Sequence, residues 1–180
     1  MHGILLNGKP YEASETNLPL LIHGKDGLGA SFFTITLIAN LLHSGSKVIF
    51  LCGYTKAHEE LLRQIPNVSK ENFLLYTKDQ IEEFGKACFL IKKDSERVVV
   101  VKNIELFPED LFDQISSYQK IIISGDINMC KYKEKIMGKH YDGIILFSDL
   151  NEIALPPLEK HQGHLTSASE EGIVTLEIVK

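Results

Sequence analysis

The residues whose types and spacing could do chemistry are concentrated in one run, Leu21-Ile22-His23-Gly24-Lys25-Asp26-Gly27-Leu28-Gly29-Ala30-Ser31. Gly24, Gly29 and Ser31 stand at the fixed positions of the phosphate-loop pattern G-x-x-x-x-G-K-[ST], and Ala30 stands where that pattern has its lysine. Glycines let successive backbone N–H groups converge on phosphate oxygens, and a helix that follows points its positive end at the same place. The missing lysine would have reached the outer phosphates. Gly24, Lys25, Asp26, Gly27, Leu28, Gly29, Ala30 and Ser31 are therefore the candidate binding residues, in a loop that keeps its backbone cradle and has lost its cation.

A loop of this kind needs a buried strand before it and a helix after it. Leu20–His23 supplies a short apolar run, and residues 31–43 are apolar over too broad an arc for a surface stripe, as a buried helix requires. Ser44-Gly45 stops that helix. Lys47–Cys52 (KVIFLC), residues 97–101 (RVVVV), 120–124 (KIIIS) and 142–147 (DGIILF) read as continuous apolar strands covered on both faces. Residues 57–65 read as a short helix and 73–76 as a further strand. Thr77-Lys78-Asp79-Gln80 forms a capping box for a helix to about residue 93, and Pro108-Glu109-Asp110 opens another. Residues 152–158 and 172–179 read as two final strands. Strands alternating with helices imply a mostly parallel sheet with right-handed crossovers and a C-terminal antiparallel pair.

With the loop in this context the chain resembles the RecA/KaiC-type P-loop ATPases over roughly residues 18–180. That resemblance implies a three-layer RecA-like domain in which the strands at 20–23 and 98–101 lie side by side. It also makes Leu158-Glu159-Lys160-His161-Gln162-Gly163 similar to the K-x-R-G segment by which such subunits reach a neighbour's nucleotide. Lys160 is kept there and Gln162 replaces the arginine, so both are candidate subunit contacts.

The departures from that family concern charge. The strand at 97–101 runs into Lys102-Asn103 where the family has a magnesium-binding acid, and Glu105 follows out of place. Cys52-Gly53-Tyr54 stands where a water-activating glutamate belongs, with Glu59 and Glu60 a turn or more further on. Phosphate lysine, magnesium acid, water-activating acid and neighbour arginine are separate parts of one phosphoryl-transfer apparatus. Four changes together imply that hydrolysis was abandoned, a state resembling that of the RecA-like accessory subunits of Elongator. An ATP-binding protein or ATPase using Lys25 and Glu105, with ATP and Mg bound, is the alternative.

Other features carry less. His161, His164 and Glu159 lack a fourth metal ligand, His23 reads as a hydrogen-bonded strand end, and Cys52 has no neighbour in sequence to activate it. Lys131, Lys133, Lys135 and Lys139 around Tyr132 would serve a nucleic-acid-binding RecA paralogue, but read as a solvated helix face. The 180 residues suit one domain, with 1–17 as a lead-in and 152–180 as a strand extension. A formal charge of -5 argues against a nucleic-acid-coating surface. No apolar run reaches the roughly 20 residues of a membrane span, and three widely spaced cysteines suit reduced thiols. The sequence thus leads to a cytoplasmic, non-hydrolysing interaction or regulatory subunit that associates with itself or a related RecA-like subunit. No cofactor is expected, although the loop remains able to hold phosphate or sulfate.

Overall fold

The structure is a computed structural model. It describes residues 2–11, 18–25, 27–54, 69, 71–91, 96–150, 153, 155, 157–159, 161–167 and 171–178. In chain order the strands are β1 (His2–Leu6), β2 (Lys9–Pro10), β3 (Leu20–His23), β4 (Lys47–Cys52), β5 (Phe73–Thr77), β6 (Arg97–Lys102), β7 (Ile121–Gly125), β8 (Gly143–Leu146), β9 (Gln162–Ser167) and β10 (Glu171–Ile178). The helices are α1 (Ala30–His43), α2 (Ile81–Ile91), α3 (Glu109–Ile115) and α4 (Lys133–Met137). The expected helix at 57–65 and the acids Glu59 and Glu60 lie outside the described residues.

All ten strands form one sheet in the order β2-β1-β10-β9-β8-β3-β7-β6-β4-β5. From β8 to β5 every neighbouring pair is parallel, and from β8 to β2 every pair is antiparallel. The parallel half comes from runs apolar at consecutive positions, because each strand is covered on both faces. Val98, Val100, Ile22, Ile122, Phe50 and Cys52 pack with α1 on one face. Val99, Val101, Leu21, Ile121, Ile123 and Ile49 pack with α2, α3 and α4 on the other.

Local signals set the helix ends. Gly29 starts α1 at φ 112°. Gly45 ends it at φ 89°, donating to the Leu42 carbonyl while Ser46 donates to Leu41, the left-handed stop that glycine favours. The Thr77 N–H donates to Gln80 Oε1 at 3.2 Å, completing the expected capping box ahead of α2.

Three expectations are corrected. β3 and β6 do not touch: β7 lies between them, parallel to both. The connection through α3 is short enough to lay β7 directly beside β6, and β3 then pairs with β7's far side. Of the described residues in 152–158, only Ile153 makes a β contact, an isolated bridge to Leu150. The partner of β10 is β9 instead, since Pro156 and Pro157 remove two ladder donors from the more apolar segment. Finally, residues 2–10 of the expected lead-in are strands: β1 pairs with β10 and β2 with β1. The C-terminal pair is therefore not an open edge. Among the described residues the sheet ends on that side in the two-residue Lys9–Pro10 strand, a short edge whose lysine and proline discourage further pairing. Among the described residues no helix is long and apolar enough to cross a membrane.

Candidate functional site

The glycine loop joins β3 to α1 at the carboxyl end of the parallel strands, where open α/β sheets hold ligands. Its frame is packed tightly. A methyl built on Gly24 would lie 2.8 Å from Ala30 Cβ and 2.9 Å from Phe147 Cβ, and one built on Gly29 would lie 3.1 Å from His161 Cα. Only glycine fits at either position without a shift. The Gly24 N–H donates to the Gly125 carbonyl at 3.2 Å, and the Lys25 N–H donates to Ser148 Oγ at 3.3 Å. Lys25 and Gly27 are exposed, Leu28 and Ser31 are half-buried, and Ala30 is buried. Asp26 lies outside the described residues. Gly29 offers the α1 N terminus no side-chain cap, and no acid stands in its first turn. The first-turn N–H groups of a helix have no intrahelical partners, so that end favours an anion.

His23, fully buried, ties three strand ends together. Its Nδ1 accepts the Ile127 N–H at 3.0 Å, while Nε2 lies 3.1 Å from both the Asp149 carbonyl and Ser148 Oγ. These partners assign the neutral Nε2–H tautomer. Burial lowers its pKa, outweighing the opposing influence of the Asp149 carbonyl and the Asp126 carboxylate. The ring is a latch between β3, β7 and β8, as a strand-end histidine should be.

Beside the latch the edge changes character. Cys52, Lys102, Ser124 and Ile22 are register partners across β4, β6, β7 and β3. Neighbouring strands lie about 4.8 Å apart. Ser124 Oγ is 2.7 Å from Thr34 Oγ1, and Thr34 donates to the Ala30 carbonyl at 2.8 Å, so this row meets the first turn of α1. Lys102 is 3% exposed. Its Nζ donates to Asn103 Oδ1 at 2.9 Å and lies 6.0 Å from the Tyr54 ring centre. The Cys52 thiol donates to the Tyr54 carbonyl at 2.9 Å, and burial raises its pKa despite nearby Lys102. That thiol is protonated at neutral pH and inert as a nucleophile.

Glu105 lies nearer the loop than its place in the sequence suggests, against Gly125. Its Oε1 accepts from Asn103 Nδ2 at 3.4 Å and its Oε2 from the Asp126 N–H at 3.2 Å. Burial raises its pKa, with Asp126 adding to the effect. One oxygen thus holds the end of β6 and the other the turn after β7.

The remaining candidates separate. The Glu159 N–H donates to Gln162 Oε1 at 3.0 Å, within one turn, and His161 crosses that turn against Gly29. Lys160 lies outside the described residues. His164 belongs to β9 and lies 3.5 Å from Glu171, and no group able to hold a metal occurs among the described residues. Of the lysines around Tyr132, Lys135 pairs with Glu109 and Asp113, and Lys139 donates to the Ser116 carbonyl at 2.7 Å. Sequence reasoning missed Ser148 and Phe147, which brace the loop. The signal was their position, at the end of an apolar strand and just beyond it.

No protein-family model and no curated protein sequence matches the chain. Solved structures do. The genome packaging NTPase B204 of Sulfolobus turreted icosahedral virus 2, in complex with AMPPCP, superposes with a TM-score of 0.61 at 14% identity, covering 91% of this chain and 98% of that one. VirB4 of Thermoanaerobacter pseudethanolicus gives 0.65 at 12% identity, covering 98% and 97%. The flagellar accessory protein FlaH of Methanocaldococcus jannaschii gives 0.54 at 15% identity, covering 89% of each chain. At these identities the likeness concerns the fold, and it defines the class: the chain has a P-loop NTPase fold.

Proposed function

We propose that this chain is a non-hydrolysing, RecA-like P-loop domain of three layers that works as an interaction or regulatory subunit, with weak nucleotide binding or none. The observation that carries the reading is the contrast along the sheet edge. The glycine frame around Gly24 and Gly29 is packed too closely for a larger residue without a shift, while Ala30, Lys102 and Cys52-Gly53-Tyr54 stand where, on the resemblance, phosphoryl transfer needs its lysine and two acids. Removing the lysine alone costs a charge-assisted hydrogen bond, which is about 10- to 150-fold in affinity. B204 has been solved with ATP-gammaS, AMP and sulfate. A loop sharing that fold and retaining its own glycines can hold phosphate or sulfate without turning nucleotide over.

The residues do not fit magnesium. A hard divalent cation takes oxygen ligands, and β6 ends in a buried ammonium. Glu105 does not replace the missing acid, because Asn103 and Asp126 engage both of its oxygens.

On this reading the partner is a second copy or a related RecA-like subunit, with Lys160 and Gln162 as candidate contacts. Steady-state phosphate release from ATP and GTP tests the proposal. The expected result is release at background, with an assembly larger than one chain by light scattering or a co-purifying subunit from the native host. Magnesium-dependent release that disappears in Lys25→Ala would overturn it in favour of an ATPase using that lysine.

A further inference from the structure

The two most exposed large apolar side chains among the described residues are neighbours in the chain. Phe89 and Leu90, each 72% exposed, stand in the last turn of α2. They line one side of a groove of about 690 Å³ between α2 and α3. Pro108 and buried Leu111 line the α3 side, and Gly85 leaves the middle without a side chain. A methyl built on Gly85 would lie 3.1 Å from Gln114 Oε1, so the two helices approach closely at the groove's floor. One face thus carries an apolar ridge beside an apolar hollow. Single exposed apolar residues are ordinary, but a contiguous patch marks an interaction site.

The rim of the groove carries both signs of charge: Glu82 and Lys86 from α2 and Asp110 from α3, all exposed. Among the described residues none of these three is in an ion pair, whereas Glu109 and Asp113 elsewhere on α3 are both taken up by Lys135.

We propose that this groove is the contact between two copies of the chain related by a two-fold axis, with Phe89 and Leu90 of each seated in the hollow of the other. The proposal rests on the reading of the partner as a second copy, and it places the contact away from Lys160 and Gln162. A ridge next to a hollow is the shape an isologous contact requires, because one patch must fit itself. The rim charges select the occupant. A uniformly acidic or basic partner would meet like charge, on Glu82 and Asp110 or on Lys86, whereas a reversed copy sets each sign against its opposite. The place in the fold suits such a contact too. α2 runs from the carboxyl end of β5 toward the amino end of β6, so its last turn lies away from the glycine loop and pairing leaves that loop open.

The test is sedimentation velocity of the whole chain from low to high micromolar concentration. A concentration-dependent dimer is the expected result. Phe89→Glu should raise its dissociation constant about 30-fold or more, the effect of losing one anchoring side chain, with an unchanged circular dichroism spectrum because the position is exposed. Two further variants read the charges. Lys86→Glu makes the rim acidic throughout, and Glu82→Lys with Asp110→Lys makes it basic throughout; each alone should pair weakly, and their mixture should pair well. A monomer at high micromolar concentration in the unaltered chain, a dimer kept in folded Phe89→Glu, or a mixture that pairs no better than its components would each overturn the proposal. A dimer lost in Lys160→Glu and kept in Phe89→Glu would overturn it while leaving the second-copy reading in place. A monomeric chain that releases no phosphate from ATP would overturn it and leave the non-hydrolysing reading intact.

Discussion

Two stretches of one sheet edge, side by side, are built on opposite terms. Around β3 and β8 the edge is interlocked by hydrogen bonds: His23 joins Ile127 and Asp149, Gly24 donates to Gly125, and the Lys25 N–H donates to Ser148. Around β4 and β6 it holds a buried ammonium beside a thiol and an amide. The first stretch holds the loop in shape. The second carries Cys52 and Lys102, which on the proposed reading stand where phosphoryl transfer needs its acids. If the loop is read as a phosphate loop, its frame and its chemistry are separable, and substitutions on the two stretches should behave differently.

The largest effect belongs to the frame. Gly24→Val forces branched carbon into Ala30 and Phe147 and should cost about 3 kcal/mol, read as a lowered urea midpoint with unchanged slope. A midpoint like that of the unaltered chain would show that the loop is not held as described.

His23→Gln should cost about 2 kcal/mol by leaving buried partners unsatisfied. It should also remove a pH dependence. Because the folded pKa of His23 lies below the ordinary 6.5, the unfolded chain binds the proton more readily. The latch contribution is full above pH 6.5 and is lost as pH falls from there through the folded value. Chemical melts across that range should slope for the unaltered chain and less for the variant.

Thr34→Val removes the bonds to Ala30 and Ser124 while keeping shape, for about 1 kcal/mol. Lys102→Met removes the donor to Asn103 Oδ1 and should cost about 1 kcal/mol. A loss as large as that of Gly24→Val would make Lys102 part of the frame and erase the contrast.

The parallel half was legible because RVVVV, KIIIS and KVIFLC can only be strands buried on both faces. Their order was not legible, since such strands read alike and nothing in their composition says which lies beside β3. The antiparallel wing was hidden for a different reason. β9, with the sequence Gln-Gly-His-Leu-Thr-Ser, has little strand character of its own, and β1 finds β10 only across the length of the chain. In the site, Gly24 and Gly29 announced the loop through their spacing. The burial of Lys102 and the bracing by Phe147 and Ser148 depend on strand register, which local sequence does not encode.

The most direct test of the central claim is a single-turnover experiment, with protein in excess over γ-labelled ATP and magnesium present, followed over hours. A loop that keeps its frame without its catalytic charges predicts no labelled phosphate beyond the protein-free control. Release above that control, abolished in Lys25→Ala while that variant remains folded, would contradict it.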